Sequence, residues 1–351
     1  MRASSFHILL CVSLLGCSAC ASDTASKSAS KHSASQSSMS ASDGGTADDA
    51  ATSDADRTAA NGVGSMPDVE FTLDVHVPAG AELLRCVYAA FPSDRGMIAV
   101  NSAESHYTAG SHHFLAYRSD LVGIPEDRTE VFDCNDNDFS HNRGSYYEAQ
   151  QPDSSRALPA GVAHMFQPDE VVILQAHYIN ATDEDVDAHV RFVLHTVDPA
   201  EVKHEAGSIL WSNFRFSVPP HSKQRVTLTC PIPEDFNPAL LWSHMHHRSS
   251  NFVASTDDEA AAEALGTLYE EHDWAEPQPR EYQMDPAVTL HAGSSVTFSC
   301  DMTNDTDSPL VYGNSAETNE MCILHGMYWP RMTMRGAEFC FDGTAESVAL
   351  E

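Results

Sequence analysis

The clearest candidates for metal chemistry are His244 and His246, which end the apolar run at residues 239–242. The run predicts a buried strand, and residues two apart on a strand point to the same face. On a helix they would diverge, because facing pairs there are three or four residues apart. Neutral imidazole is the commonest metal ligand in proteins. The pair predicts either a two-ligand seat for a transition metal or a solvated, histidine-rich strand end.

Three other stretches carry residues of the same chemical kind. His112 and His113 are adjacent, His177 follows Gln175 by two residues, and Met321 directly precedes a cysteine. Three imidazoles suit zinc as well as copper, whereas an uncharged thioether beside imidazoles favours Cu(I). Taken singly, Met321 also fits a core methionine beside a disulfide, and His177 fits a hydrogen-bonded strand histidine.

The adjacent histidines pose a geometric problem. On a regular strand, His112 and His113 would face opposite sides of the sheet. Binding one metal through both therefore requires a local bend, which Gly110 would permit.

Charge and composition exclude some partners. The chain has 351 residues, 19 basic against 51 acidic, and a formal net charge of −32. Such an acidic chain does not track a phosphate backbone, so no nucleic-acid partner is predicted. The hydrophobic fraction of 42% is enough for ordinary globular cores.

The N-terminus predicts export. Residues 6–15 form an apolar run too short to span a bilayer, so residues 1–20 are predicted to be a leader. The sequence before Cys17 resembles a bacterial lipobox, which predicts lipidation of Cys17; Cys20 is a second candidate, and a plain cleaved signal is the alternative. Residues 21–66, rich in Ser, Ala and Asp, are predicted to be a disordered tether. The lipid anchor is the only membrane contact predicted.

The remaining residues predict an all-β fold. Residues 71–77 alternate with period two, and short strands with Gly, Pro, Asn or Asp between them continue to the C-terminus. Residues 257–271 alone read as a helix or an acidic surface insertion. The length predicts two β-sandwich domains, 67–200 and 201–351, divided in the polar stretch at 199–205.

Six of the nine cysteines lie beyond the leader. An even number in an exported chain predicts three disulfides, whose connectivity the residues themselves leave open.

Taken in order, the four histidine and methionine motifs resemble those of the copper type II ascorbate-dependent monooxygenases. The resemblance runs over residues 68–341. It implies two jelly-roll-like antiparallel sandwiches packed side by side, with two copper ions facing each other across an open cleft.

The resemblance also implies roles for individual residues. Three histidines match the electron-transferring copper site, and two histidines with one methionine match the catalytic, oxygen-binding copper site. These residues are His112, His113 and His177 for the first site, and His244, His246 and Met321 for the second. His247 matches a histidine that is not a ligand, and Gln175 is expected to form a hydrogen bond near His177.

The resemblance further implies the disulfide pairing. The expected bridges are Cys86–Cys134, Cys230–Cys340 and Cys300–Cys322.

The functional prediction is an exported, lipid-tethered enzyme that hydroxylates a C–H bond of a small substrate with O2 and a reductant such as ascorbate. The alternatives are a copper-binding or copper-sequestering lipoprotein without turnover, and an adhesion or carbohydrate-binding sandwich. The sequence does not name the substrate molecule, the physiological reductant or the oligomeric state.

The substrate prediction rests on a departure from the family. Its peptide-hydroxylating members hold a substrate carboxylate with Arg, Asn and Tyr, where this chain has Trp242, Ile323 and His325. Trp and Ile offer a carboxylate no charge-assisted hydrogen bonds. A neutral substrate, apolar or aromatic where it meets Trp242 and Ile323, is therefore expected.

Overall fold

The computed structural model describes residues 66–134, 141–334, 336–341 and 343–350, which belong to one compact unit. The predicted leader, the lipidation site at Cys17 and the tether up to residue 65 lie outside the described residues. Within the described ranges, none of the helices has the length and apolarity needed to cross a bilayer.

The all-β prediction is confirmed, since the described residues form mostly antiparallel sheets. The strands are β1 (Val69–Val77), β2 (Glu82–Ala90), β3 (Ile98–Tyr107), β4 (Ser111–Val122), β5 (Phe132–Asp133), β6 (Asn142–Ala149), β7 (Asp153–Ala157), β8 (Val162–Phe166), β9 (Glu170–Ile179), β10 (Val186–Val197), β11 (His204–Glu205), β12 (Gly207–Ser212), β13 (Ser217–Val218), β14 (Ser222–Pro231), β15 (Asn237–Met245), β16 (Ser249–Thr256), β17 (Tyr269–Glu271), β18 (Arg280–Glu281), β19 (Ser295–Asn304), β20 (Leu310–Val311), β21 (Cys322–Trp329), β22 (Phe339–Cys340) and β23 (Thr344–Ala349).

Period-two alternation produces the expected burial. In β1 every second side chain, from Val69 to Val77, is buried and the intervening ones are exposed. The strand pairs antiparallel with β10, so its polar face carries cross-strand ion pairs while its apolar face enters the core.

The N-terminal half contains two sheets. One has the order β5-β2-β9-β4-β6; the other has the order β1-β10-β3-β8-β11, with β7 on β3. Side chains from both sheets, among them Leu73, Phe114 and Phe192, share one buried core. The first sheet carries His112, His113 and His177 on its neighbouring strands β4 and β9.

The C-terminal half also contains two five-stranded sheets, with orders β18-β15-β21-β12-β22 and β17-β16-β19-β14-β23, and a small β13-β20 pair. Trp211, Phe236, Phe252 and Phe298 belong to a core made by both five-stranded sheets. Strands β15 and β21 are neighbours, and they carry or adjoin His244, His246 and Met321.

Between the halves lies a 3-10 helix, Pro199–Glu201, followed by β11. Strand β11 still pairs with β8 of the N-terminal half, in parallel register. The division between residues 200 and 201 stays a prediction.

The predicted helical stretch at 257–271 is corrected. The helix α1 covers only Glu259–Leu265, where Asp258 caps its N-terminus by accepting from the N–H of Ala261. Gly266, at φ 65°, ends it, and the chain then enters strand β17.

All three disulfide pairings are confirmed: Cys86–Cys134, Cys230–Cys340 and Cys300–Cys322.

Candidate metal centre

His112, His113 and His177, the N-terminal set, come together because β4 contains a bulge. Ser111 lies opposite Tyr178 and His113 opposite His177, so His112 is the extra residue of β4. Gly110 precedes it at φ 98°, a conformation that favours glycine. This is the bend that two adjacent histidine ligands require. The three ring centroids lie 5.0 to 5.2 Å apart.

The ring of His177 is oriented by a carboxylate. Its Nε2 lies 2.9 Å from Oε1 of Glu82, whose side chain is 40% exposed. A hydrogen bond on one ring nitrogen fixes the tautomer and directs the other nitrogen to a metal. Nδ1 is therefore the nitrogen of His177 that a metal would bind.

His244 and His246, the C-terminal set, project to one face as the strand spacing predicts. Their ring centroids are 5.3 Å apart. Nδ1 of His244 lies 3.1 Å from Oε1 of Gln150, and Nδ1 of His246 donates to the carbonyl of Asn319 at 3.1 Å. Because each Nδ1 faces an acceptor, Nε2 of each neutral ring presents its lone pair. Both Nε2 atoms are buried and have no hydrogen-bond partner among the described residues.

Met321 adjoins this pair. Strands β15 and β21 pair His244 with Ile323 and Met245 with Cys322. His246 follows Met245 and Met321 precedes Cys322, so both lie just beyond this last pair of the two strands. Met321 is buried and lines the same cavity as His244.

The buried carboxylate of Glu320 fastens the His246 loop to Met321. It accepts from the backbone N–H groups of His246, Arg248 and Met321 and from the hydroxyl of Ser249, at 2.8 to 3.1 Å. Burial raises the pKa of this carboxyl group, and the four hydrogen bonds oppose the shift. The motif Glu320-Met321 thus positions one candidate ligand and braces another.

The two sets meet, which corrects the expected open cleft. The ring of His112 lies 5.8 Å from that of His244 and 5.5 Å from that of His246, and the ring of His113 lies 5.4 Å from that of His244. One nitrogen from each of His112, His244 and His246 lies within 4.8 Å of the others, as do nitrogens from His112, His113 and His177.

The physical reason is a set of hydrogen bonds between the halves. After β6, the side chain of Gln150 bonds both His244 and the carbonyl of Trp274, and Gln151 donates to the carbonyl of Ala275. Glu148, at the end of β6, accepts from the indole N–H of Trp242 at 3.3 Å. These contacts bring the end of β6 against the C-terminal set.

Burial keeps the histidines in the form that binds metals. It lowers the pKa of His112 to about 3 and that of His246 to about 4, and it lowers the pKa of His113 and His244 well below the usual value. The neighbouring imidazoles add to these shifts. At neutral pH the rings are neutral, and the unpaired buried Nε2 atoms of His112, His244 and His246 fit a soft or borderline metal ion.

A cavity of about 190 Å³ borders both sets. Its walls include His113, His177, His244, Met321, Ile323 and His325. Gln175 also lines it and accepts from the hydroxyl of Tyr117 at 3.1 Å.

One predicted position, Trp242, is corrected. Ile323 and His325 line the cavity, but Trp242 borders a different cavity, with Glu148 and Arg156. Its ring stacks on His325, with centroids 5.7 Å apart and planes 7° apart. Trp242 therefore supports His325 and is not a wall for substrate. His247, predicted not to be a ligand, is exposed and faces Trp274.

The sequence prediction missed Glu82, Glu148 and Gln150. Glu148 and Gln150 could have been found in the sequence, because they lie at the end of the apolar strand 145–149. A carboxylate buried in such a strand needs a partner.

Residues 206–350 match the model of the copper type II ascorbate-dependent monooxygenase family, C-terminal domain. No curated protein matches the chain. The C-terminal part of the chain, which holds His244, His246 and Met321, therefore belongs to this family.

Proposed function

We propose that this member of the copper type II ascorbate-dependent monooxygenase family is an enzyme that hydroxylates a C–H bond of a small substrate. The observation that carries the proposal is the convergence of the N-terminal and C-terminal sets on one cavity that Met321 also lines. The reductant, ascorbate or a similar small molecule, supplies two electrons; one oxygen atom of O2 enters the substrate and the other leaves as water.

Two copper ions fit the donor atoms. His112, His113 and His177 would hold the electron-transferring ion, and His244, His246 and Met321 the oxygen-binding ion. When bound, copper supplies the redox chemistry. The thioether argues for copper over zinc, because uncharged sulfur prefers Cu(I).

The chain's own residues supply position. Gln150 and Asn319 hold the two rings of the C-terminal set, Glu82 holds His177, and Glu320 ties the His246 loop to Met321. The apolar side chains of Leu115 and Ile323 exclude water from part of the cavity. No side-chain acid or base is assigned a proton-transfer step.

Export and lipid anchoring complete the proposal. Three disulfides fit a protein that folds in an oxidising compartment. Lipidation at Cys17 would tether the enzyme to a bacterial membrane, facing the periplasm or the cell surface.

The test measures copper and turnover together. Purified mature protein should bind two copper ions and consume O2 only with reductant and substrate, in proportion to hydroxylated product. His244→Ala should abolish turnover, while His247→Ala, an exposed histidine three residues away, should leave it unchanged. Copper binding without coupled O2 uptake would identify a copper-sequestering protein, and absence of copper binding would leave only a β-sandwich with histidine-rich strand ends.

A glycine-extended peptide is predicted to be a poor substrate. Ile323 cannot pair with a carboxylate, and His325 already faces Glu148 at 2.7 Å. Turnover of the peptide should be at least tenfold slower than that of a small aromatic substrate, measured with ascorbate and copper. Efficient hydroxylation that vanishes when the peptide's carboxylate is amidated would contradict this prediction.

A further inference from the structure

His112 lies between the N-terminal and C-terminal sets. It is the extra residue of the β4 bulge, so it has no partner in the register with β9. Its ring centroid is 5.0 and 5.2 Å from those of His113 and His177, and 5.8 and 5.5 Å from those of His244 and His246. The ring therefore has histidine neighbours in both halves of the chain at nearly equal distances.

His112, His244 and His246 each leave Nε2 without a partner. These three nitrogens are buried, and none has a hydrogen bond among the described residues. Nδ1 of His244 faces the side-chain oxygen of Gln150, and Nδ1 of His246 faces the carbonyl of Asn319. With the proton on Nδ1, a neutral ring carries its lone pair on Nε2. Buried polar atoms without a partner are uncommon, and three in one cluster call for a bound ion.

The spacing of the three rings fits a single metal ion. One nitrogen from each of them lies within 4.8 Å of the other two. In a tetrahedral site with metal–nitrogen bonds of about 2.0 to 2.1 Å, the ligand nitrogens are roughly 3.4 Å apart. Ring movements of about 1 Å would therefore complete the site. Since Nε2 is the available nitrogen on each ring, the three Nε2 atoms are the expected ligands.

We propose that Nε2 of His112, His244 and His246 form a metal site that joins the two halves and binds one divalent ion, Zn(II) or Cu(II). Three neutral imidazoles suit these ions and leave a fourth position open. The ligands differ from those of both sets, because one comes from the N-terminal half, two come from the C-terminal half, and none is a thioether.

This site and the two-copper arrangement exclude each other. A neutral imidazole has one lone pair, so His112 binds either the ion shared with His244 and His246 or an ion of the N-terminal set. Cu(I) favours the thioether of Met321, whereas Zn(II) and Cu(II) are well served by imidazole. The three-histidine site is therefore the one that the first divalent ion should occupy, and it does not depend on turnover.

The first test counts the bound rings in the wild type. The full mature protein, metal-free and with ¹⁵N-labelled histidine, receives one equivalent of Zn(II). Side-chain NMR distinguishes a ring bound through Nε2 from one bound through Nδ1. Three rings should bind, all through Nε2.

Other ring counts would overturn the inference. A ring bound through Nδ1 would place the ion in the N-terminal set, because Glu82 leaves Nδ1 of His177 to the metal. Two bound rings would place it in the C-terminal set. An absence of bound rings would show that the cluster holds no divalent ion.

Substitutions then identify the three rings. His112→Ala, His244→Ala and His246→Ala should each lower the affinity for the first Zn(II) by about tenfold or more, since each removes one of three ligands. Competition with a zinc chelator measures the affinity, and circular dichroism shows whether each variant is folded. The ring count in the wild type decides the question even where a variant does not fold.

Three further variants separate this site from the two sets. His177→Ala removes a ligand of the N-terminal set alone, Met321→Leu one of the C-terminal set alone, and His247→Ala an exposed histidine. All three should leave the affinity for the first Zn(II) unchanged. A loss in His177→Ala or Met321→Leu that matches the loss in His244→Ala, or an unchanged affinity in His112→Ala, would overturn the inference.

Failure of this inference is distinguishable from failure of the proposed function. If the three-histidine site is absent but the protein binds two copper ions and couples O2 uptake to product, the proposed function stands. If Zn(II) binds to the three histidines but no reductant-dependent turnover occurs, the site stands and the proposed function fails.

Discussion

The N-terminal and C-terminal sets are braced by different kinds of partner. Glu82, which orients His177, is 40% exposed and contacts the set through the ring of that histidine. Glu320, which supports the C-terminal set, is fully buried and accepts four hydrogen bonds. The N-terminal set depends instead on the backbone, through the bulge at His112.

This difference shows two ways to hold imidazoles. A bulge fixes two adjacent ligands at little electrostatic cost, since it adds no buried charge. A buried carboxylate fixes a loop more firmly, but it is stable only when its oxygens are satisfied. The C-terminal set should therefore be the more sensitive to single substitutions in its support.

The disulfides give the largest expected effect. Replacing both Cys230 and Cys340 by Ala should lower the free energy of unfolding by about 4.7 kcal/mol, because the bridge closes a loop of 110 residues. Replacing Cys300 and Cys322 should cost about 3 kcal/mol and also weaken Cu(I) binding, because Cys322 directly follows Met321.

Urea unfolding of the metal-free protein and a Cu(I) competition titration measure the two effects. Unchanged Cu(I) affinity after loss of Cys300–Cys322 would show that this bridge does not position Met321.

The two carboxylates provide the most direct test of the comparison. Glu320→Gln places an amide N–H against N–H donors and should lower the free energy of unfolding by about 3 kcal/mol. Glu82→Gln should change it by about 0.5 kcal/mol or less, because the side chain is half exposed. Urea unfolding midpoints measure both, and equal losses would remove the distinction between the sets.

His164, a buried histidine outside both sets, shows how burial alone changes the pKa of a histidine that is not a candidate metal ligand. Burial and the charges of Arg118 and Arg331 lower the pKa of His164 to about 3. Above pH 6.5 the ring is neutral in both states; below it, only the unfolded chain takes up the proton, so folding stability falls as the pH falls. The loss should reach about 2 kcal/mol at pH 5.

His164→Phe should abolish that loss while every ligand histidine remains. The measurement is the difference in free energy of unfolding between wild type and variant at pH 7 and pH 5, without metal. A difference that does not change with pH would show that His164 titrates normally in the folded protein.

The sequence predicts those features of the site that depend on a single strand. Strand spacing places His244 and His246 on one face, and the need for a bend at His112 follows from two adjacent ligands. Both depend only on local backbone geometry.

Contacts between halves were not predictable in this way. Glu148 and Gln150 reach the C-terminal set only because the halves pack together, and Trp242 is turned away from the cavity by stacking on His325. Tertiary packing decides these positions, and strand periodicity carries no information about it.

A turn that occurs once in each half was also not predictable from the sequence. In sequence, Asn180 and Asn304 are only Asn-x-Thr sequons. In the structure both are buried, and each donates from Nδ2 to three backbone carbonyls while its Oδ1 accepts from the threonine two residues on. The two halves use one turn in the same way, and its buried amides are structural.

The last difference between the sets is Met321, a thioether that the N-terminal set lacks. Met321→Leu conserves volume, so the free energy of unfolding should change by less than about 1.5 kcal/mol. Loss of the thioether should weaken Cu(I) binding at the C-terminal set by about tenfold or more, with little effect on the N-terminal set, because soft sulfur favours Cu(I).

Met327→Leu, which replaces a buried methionine of β21 outside the cavity, is the control. Competition titrations of Cu(I) measure both variants. Equal Cu(I) affinities in the two variants, or zinc held more tightly than Cu(I) by the wild type, would show that Met321 is a core residue and that the sets differ only in their supports.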